Sequence, residues 1–465
     1  MLLQPSQYES APVSQLLEQL GLGRLGLDQR LIAALTSRPK EAAPALVAYG
    51  LNPPEASRLH LDGDILNLLS AMPDLKAMDF VISLLRDGFS EIPDSMMVIT
   101  RAAGAVGINA LVKLYREMEE EASGEVAFLL AGLGVRDPRI FDIILERLDY
   151  DMEDGAMLLG LYGDPAGILP LQKLSGELGK NRELDFALEQ LRVRQEDYVD
   201  PVINHLEEYP ATALPEFEVL DDDEIVEFAT QHEDTPVRLA ALDVLEDLQL
   251  PESAVRPLIT LANANHSIPV SAAAFRALAR LNQFVEVRDM AESVLVNSEL
   301  PVAVRAASLI TLLPDSIAPA RVRTLVEEFL AEPASRADAV HAMWRSREPS
   351  YNTRFGTFLD DPDLAVRKQA IRGAGVCGDV TSIGKLRDLM MDDDVRKDAI
   401  FAYAMAVPSD ISPSRVRSLY SRIEKEAGGL NSDEATSVGI ALDMRLEAEG
   451  KEPVFFASEE EDVDN

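Results

Sequence analysis

The amino-acid sequence predicts an all-α fold and, within that class, an α-solenoid of stacked helical hairpins. Three observations lead to this prediction. A unit of about thirty residues recurs along the chain, and its copies have helical periodicity. The sequence has no sustained alternation of β-branched residues, and aromatic residues make up only 6% of it. Hydrophobic residues make up 47% of the 465 residues, which is enough for a continuous core.

The C-terminal half carries the clearest copies of the repeat. Their anchors are separated by 33, 34, 31, 31 and 29 residues and are Arg238, Ser271, Arg305, Arg336, Arg367 and Arg396. The third residue after each anchor is small, and the fourth and seventh are mostly apolar. Positions four and seven share one helical face, with the small residue beside them where another helix must approach closely. We therefore expect every copy to bury the same stripe.

Each copy also contains a helix start and a second helix. Capping residues and prolines precede the stripe, as in 234–238, 267–270 and 363–367. A second amphipathic segment lies between stripes, as in 254–261 and 383–390. Two helices per period form a hairpin that cannot bury its apolar face alone, so neighbouring hairpins are predicted to stack.

The N-terminal half repeats less regularly, and its copies are marked by glycines. Gly107, Gly134 and Gly163 are separated by 27 and 29 residues, and an apolar segment follows, as in 164–171. This pattern predicts that the stack of hairpins extends into the N-terminal half.

Short motifs in both halves resemble those of a known repeat family. Residues 160–164 and 375–379 match a Gly-x-x-Gly-Asp turn, and residues 392–399 match an Asp-x-x-Val-Arg-x-x-Ala helix opening. The pattern is similar to the HEAT-like repeats of the phycobilisome-lyase type over about residues 60 to 430. The resemblance implies a fold used by scaffolds, adaptors, inhibitors and a few enzymes, so it does not select one activity.

The repeats and the charge distribution predict five segments. They are an N-terminal helical cap at 1–50, N-terminal HEAT-like repeats at 51–197, an acidic connector or irregular repeat at 198–234, C-terminal HEAT-like repeats with a cap at 235–450, and a disordered acidic tail at 451–465.

The net charge of the chain limits the classes of macromolecule that it is expected to bind. The chain has 43 Lys and Arg against 80 Asp and Glu, a net charge of −37. Long-range repulsion argues against nucleic acid and against an anionic membrane, whereas a basic protein partner is favoured. The single cysteine, Cys377, excludes an intramolecular disulfide, and the N-terminus lacks a signal-peptide pattern. We therefore expect a cytoplasmic protein, and the sequence makes no prediction of its oligomeric state.

The acidic residues are concentrated in one stretch. Residues 201–250 contain fourteen acidic side chains and one basic side chain, Arg238. One interpretation is a solvated linker, because blocks of like charge are usually solvated. The other is an acidic lip that attracts a basic helix or tail. On the second interpretation, the candidate partner-binding residues are Asp221, Asp222, Asp223 and Glu224.

Three aromatic residues are further candidates for partner binding. Trp344 is the only tryptophan, and it lies on a predicted stripe beside Arg345, where core packing and an interface anchor are both open interpretations. Phe455 and Phe456 precede the acidic end of the chain and could contact a partner or fold back on the last repeat.

The sequence predicts no catalytic residue, no cofactor and no metal site. Two Gly-x-Gly-x-x-Gly segments, 21–26 and 373–378, follow predicted helices rather than the strand that a dinucleotide site requires. The run 221–224 lacks the spacing of a calcium loop. No histidine pair has metal-ligand spacing among His60, His205, His232, His266 and His341.

These observations predict a non-enzymatic scaffold or adaptor that binds a basic segment of another protein in its solenoid groove. The alternative, implied by the family resemblance, is a protein related to the bilin lyases or another protein that assists a chromophore or an enzyme. Bound colour would favour the alternative, and capture of a protein at low salt would favour the scaffold.

Overall fold

The computed structural model describes residues 3–20, 26–53, 61–72, 74–89, 92–179, 181–193, 205–263 and 267–456. Within these residues there are 25 α-helices, several short 3-10 turns and no β-strand. Helices pack against their sequence neighbours and against the next helix but one. The predicted fold class, an all-α solenoid, is therefore confirmed.

The chain divides into two compact units. Unit 1 comprises residues 1–221 and 232–237, and unit 2 comprises residues 222–231 and 238–465. Among the described residues, no single helix is long and apolar enough to cross a membrane.

Unit 1 contains twelve helices among its described residues, with the even-numbered ones from α4 to α12 lying side by side as one layer. The bounds of these helices are α1 (Val13–Leu20), α2 (Gln29–Thr36), α3 (Pro39–Leu51), α4 (Leu61–Ser70), α5 (Ala77–Arg86), α6 (Asp94–Ala103), α7 (Ala105–Glu117), α8 (Gly124–Gly132), α9 (Pro138–Tyr150), α10 (Met152–Tyr162), α11 (Ile168–Leu178) and α12 (Arg182–Val193).

Residues 205–221 and 232–234 of the acidic connector pack against the first helices of unit 1. The Gln29 side-chain amide donates to the carbonyl oxygens of Leu206 and Tyr209, at 2.7 and 2.9 Å. Farther along, the Arg30 guanidinium forms an ion pair with Asp234 at 2.7 Å. The described residues 205–221 and 232–237 are thus held by the N-terminal helices through main-chain and side-chain contacts, and they include 3-10 turns at His205–Glu208 and Phe217–Val219.

Unit 2 contains the helices from α13 onward. One layer consists of α16, α18, α20, α21, α23 and α25, and each packs on the next. Their bounds are α13 (Asp222–Gln231), α14 (Thr235–Asp247), α15 (Val255–Asn263), α16 (Ile268–Leu278), α17 (Val285–Val296), α18 (Val302–Thr311), α19 (Pro319–Leu330), α20 (Arg336–Arg345), α21 (Leu364–Val376), α22 (Ile383–Leu389), α23 (Arg396–Ala406), α24 (Val416–Glu426) and α25 (Ser432–Ala448).

The predicted repeat stripe is the core of unit 2. The small residues three positions after the anchors are fully buried in every copy: Ala241, Ala274, Ser308, Ala339, Ala370 and Ala399. The residues at positions four and seven are buried as well. A small side chain is required because another helix lies against it. At another contact of α21 with α23, a Cβ on Gly375 would come within 2.7 Å of the Cα of Ala402.

The end of the described chain is bound to α25, and this corrects the predicted tail. Disorder was expected from residue 451, but the backbone N–H groups of Val454, Phe455 and Phe456 all donate to the carboxylate of Asp443, at 2.7 to 3.0 Å. The Phe455 ring lies 5.3 Å from the ring of Tyr420. A buried carboxylate that satisfies three N–H groups fixes this segment. The rest of the predicted tail, 457–465, lies outside the described residues.

Candidate protein-binding face

Acidic side chains recur in register on the even-numbered helices of unit 1. Successive members are separated by 30, 31, 29 and 29 residues, and we call them the acidic ladder: Asp64, Asp94, Glu125, Asp154 and Glu183. Each lies near the start of its helix. Negative charge is favoured there by the helix dipole, which accounts for each residue locally. The regular spacing places one such acid in the first turn of each even-numbered helix from α4 to α12.

Large apolar side chains follow the ladder acids by three residues from α6 to α12. We call this set the apolar ladder: Met97, Phe128, Met157 and Phe186. Residues three apart share a helical face, so each apolar side chain lies beside its acid. Exposure increases along the set. Met97 and Phe128 are half-buried, whereas Met157 is 51% exposed and Phe186 is 62% exposed.

Met97, the first member of the apolar ladder, contacts the neighbouring helices. The terminal methyl of Met97 lies 2.7 Å from the place where a Cβ on Gly132 would be, and a methyl of Leu161 lies 3.8 Å from it. Met97, Gly132 and Leu161 come from α6, α8 and α10, so the face is continuous across three helices. A side chain at position 132 would displace the flexible end of Met97.

A groove lies between α10 and α12, with a volume of about 540 Å³. Its lining combines the last members of both ladders with small residues of the helix contact: Glu153, Asp154, Met157, Gly160, Leu161, Glu183, Phe186, Ala187 and Gln190. A second depression of about 740 Å³ adjoins it on the other side of Phe186 and is lined by Asp185 and Glu189 among others. The groove therefore has an apolar floor and an acidic rim.

The opposite end of the same face is covered by the chain itself. The Tyr209 hydroxyl donates to the ladder carboxylate of Asp64 at 2.5 Å and accepts from the Asn67 amide at 2.9 Å. The Nε2 atom of His205 lies 4.0 Å from the carboxylate of the next ladder member, Asp94. Ladder acids on α4 and α6 therefore contact polar groups that approach from outside the helical layer.

The predicted acidic lip is the start of a helix. Asp222, Asp223 and Glu224 form the first turn of α13, and Asp221 precedes it. The Asp223 carboxylate accepts from the Ser253 hydroxyl at 3.1 Å. The helix dipole accounts for acids at this position. Partner binding by these four residues stays a prediction, as it does for Phe455 and Phe456, which contact α24 and α25.

Trp344 lies half-buried in unit 2, on α20. Its ring stacks on the imidazole of His341, with a centroid distance of 4.6 Å and an angle of 8°. Its Nε1 atom donates to the side-chain oxygen of Gln369 at 3.1 Å. The Arg372 guanidinium lies 5.5 Å from the ring centroid. Three neighbours thus fix the indole, and a role in partner binding stays a prediction.

Beneath Trp344 lies a cluster of charged groups that sequence reasoning did not find. The Arg276 guanidinium lies 2.9 Å from the Asp338 carboxylate and 3.4 Å from the Glu246 carboxylate. The Nδ1 atom of His341 lies 3.5 Å from Glu246. Most members fall one residue after an apolar stripe position, which is the signal that could have indicated them. The cluster joins α14, α16 and α20.

Burial shifts the pKa values within this cluster. It raises the pKa of Glu246 to about 7, although Arg276 and Arg372 oppose the shift. It also lowers the pKa of His341 well below its ordinary value, and the nearby guanidinium groups add to that effect. Both changes favour the neutral forms, because a charge inside the protein loses its hydration.

Cys377 has the properties of an unreactive thiol. Burial raises its pKa to about 11, and the carboxylate of Asp379 contributes to the rise. A nucleophilic cysteine requires a thiolate, and this environment disfavours it. Within the described residues, no group of three or more His, Cys, Asp or Glu side chains is arranged to hold a metal ion.

Comparison with known proteins gives structural similarities alone. No family model matches the chain, and no curated protein matches it. A crystal structure described as an engineered protein is 15% identical and covers 92% of this chain and 98% of its own, with a TM-score of 0.19. The molecule is a helical solenoid protein, and the HEAT-like assignment depends on the sequence motifs alone.

Proposed function

We propose that this chain is a non-enzymatic scaffold or adaptor of the HEAT-like type. It binds a basic segment of another protein along the surface of unit 1 that carries the acidic and apolar ladders, which we call the ladder face. The observation that supports this proposal is the common register of the acidic and apolar ladders on successive helices. A repeated surface of this kind offers equivalent contacts at regular intervals, which suits an elongated partner segment.

Electrostatics supports a basic partner. The acidic ladder belongs to a chain whose net charge is −37, so a basic segment is attracted before contact and an acidic one is repelled. Apolar side chains beside the acids supply the short-range part of the affinity, because charge pairs at an exposed rim contribute little after contact.

The test compares two double variants of the full-length chain. Glu125→Gln/Glu183→Gln removes two ladder charges and keeps the shape of the side chains. Asp142→Asn/Glu177→Gln removes two exposed charges from α9 and α11 and is the matched control. Affinity for a basic peptide is measured by fluorescence anisotropy at about 0.05 M and about 0.5 M salt. Circular dichroism confirms that both variants are folded.

We expect the ladder variant to lose about fivefold to thirtyfold in affinity at low salt and the control to lose less than about twofold, with the difference shrinking at high salt. Equal losses in the two variants would show that the peptide senses only net charge. That result would contradict binding along the ladder face.

A further inference from the structure

We propose that the groove between α10 and α12 is the docking site for a basic amphipathic helix of another protein. One large apolar side chain of that helix would lie between Met157 and Phe186, and its Lys or Arg residues would lie over the acidic rim. This inference deepens the proposed function and rests on it, because it names the kind of segment and the part of the face that binds it.

The floor of the groove is suited to an apolar anchor. Met157 and Phe186 are each more than half exposed, although large apolar side chains at the equivalent positions of α6 and α8 are half-buried. Between them, α12 contributes the buried methyl group of Ala187. The volume of about 540 Å³ lies in the range of clefts that hold ligands. Covering both side chains would remove apolar surface from water.

The rim of the groove defines the charge of the occupant. Within the described part of the chain, the groove residues Glu153 and Glu183 take part in no ion pair, whereas Asp154 is neutralised by Arg147 at 2.7 Å. The adjoining depression adds the carboxylates of Asp185 and Glu189, and Arg182 also lines it. Two unpaired carboxylates at the groove and two beside it favour lysine or arginine and disfavour an acidic segment. A long basic side chain can also lay its methylene groups on the apolar surface while its charge reaches the rim.

We infer that the docked segment is a helix, because the groove suits neither an extended strand nor a proline-rich segment. Helices satisfy their own backbone hydrogen bonds, so α10 and α12 offer no open strand edge on which an extended peptide could add a strand. Proline-rich segments require a groove lined by several aromatic rings, and Phe186 is the one aromatic residue in this lining. An amphipathic helix, which presents apolar side chains along one side, is the arrangement that fits the groove.

At the covered end of the face, ladder acids contact polar side chains from another segment of the chain. Tyr209 and His205 contact the acids of α4 and α6, and both come from a segment that lies against the layer rather than within it. Glu183 occupies the equivalent ladder position on α12. The docked helix would therefore use on α10 and α12 the kind of contact that the chain's own segment makes on α4 and α6.

The test uses the full-length protein and three synthetic peptides of about 18 residues. The first is amphipathic, with leucine on one face and lysine on the other. The second has the same composition in scrambled order, and the third has glutamate in place of lysine. Fluorescence anisotropy measures each Kd. We expect the first peptide to bind at least about tenfold more tightly than the other two.

Variants then locate the binding site. Phe186→Ala and Met157→Ala shorten the two floor residues, and each is expected to weaken binding of the first peptide by about fivefold to fiftyfold. Leu169→Ala is the matched control, because Leu169 is 75% exposed and lies on α11, outside the groove. We expect it to change the affinity by less than about twofold. Thermal melts verify the fold of each variant.

The outcomes separate this inference from the proposed function. Equal binding of the scrambled peptide, or equal losses for Phe186→Ala and Leu169→Ala, would overturn the docking site. If Glu125→Gln/Glu183→Gln weakens binding while Phe186→Ala leaves it unchanged, the docking site fails and the proposed function stands. If neither lysine-containing peptide binds the wild-type protein, both are wrong.

Discussion

Glu246 has a carboxyl group whose pKa lies near neutral pH, and its neighbours explain why. Desolvation raises the pKa from 4.5 to about 7, the Arg276 and Arg372 guanidinium groups oppose the rise, and Asp247 and Asp243 add to it. In the unfolded chain the carboxyl group returns to its ordinary pKa. The folded protein therefore binds a proton more tightly than the unfolded one does between these two values.

This difference predicts the pH dependence of stability. The contribution of Glu246 is fully present below pH 4.5 and is lost as pH rises through about 7. Its size is on the order of 2–3 kcal/mol in the free energy of unfolding. Glu246→Gln should remove this contribution, so the free energy of unfolding should decline less steeply as pH rises. Urea unfolding at about pH 5 and about pH 8 measures the change.

His341 and Asp338 contribute their own pH dependence, so the comparison needs a control. The pKa of His341 is lowered, so its contribution is lost as pH falls below its ordinary value, while the pKa of Asp338 is raised. Glu286→Gln changes an exposed residue of α17 and should keep the wild-type decline. If the free energy of unfolding of Glu246→Gln declines with pH as steeply as that of the wild type, Glu246 is not the source of the pH dependence.

Single residues were predictable where the signal was local. The buried stripe at Ala241 and its equivalents follows from helical spacing within each copy of the repeat. By contrast, Arg276 meets Asp338 across 62 residues and Arg372 meets Asp247 across 125 residues. No local pattern fixes which of many charged residues meet at those separations. The sequence thus predicted the core of unit 2 and missed the charged cluster beside it.

Pairs of neighbouring helices depend on close approach at particular positions. On α21, a Cβ at Gly375 would lie 2.7 Å from the backbone of α23, whereas a Cβ at Gly384 on α22 would meet nothing within 4 Å. Backbone atoms cannot move aside without moving the whole helix. The two glycines therefore have opposite expected responses to substitution.

Gly375→Val should force α21 and α23 apart and lower the free energy of unfolding by about 2–4 kcal/mol. Gly384→Ala should be neutral or raise it by up to about 1 kcal/mol, because alanine favours a helix more than glycine does. Chemical denaturation of the two variants measures both values. Similar losses in both would contradict the close contact.

The ladder face was not predicted, although its residues are plain in the sequence. An acid near a helix start is ordinary, and so is an exposed methionine or phenylalanine. Only the packing of α6, α8, α10 and α12 in one layer shows that Glu125 and Glu183 lie on the same face as Met157 and Phe186. Each residue has an explanation within its own helix. The shared face arises only when the helices pack side by side.

Self-repulsion acts on the whole molecule because its net charge is −37. Folding concentrates this charge, and salt screens it. We expect the melting temperature to rise by several degrees between about 0.02 M and about 0.5 M sodium chloride. Differential scanning calorimetry with sodium chloride and potassium chloride would measure the rise and test for an ion-specific effect. A falling melting temperature would mean that attractive ion pairs outweigh the repulsion.

The predictions for the whole chain were good for fold class and weaker for the C-terminal tail. The repeat period identified the solenoid, because hairpins with one apolar face have few ways to bury it. The tail was placed too early, since its anchor is the carboxylate of Asp443, whose role cannot be read from the acidic composition of the residues that follow.

The return of residues 205–221 and 232–237 to the first helices affects how unit 1 is completed during synthesis. Helices α4 to α12 contact near neighbours, so they can pair as they leave the ribosome. Gln29 and Arg30 must wait until Leu206, Tyr209 and Asp234 have been translated, nearly two hundred codons later. A nascent chain therefore carries exposed N-terminal helices for tens of seconds at ordinary elongation rates, an interval in which chaperones can bind them.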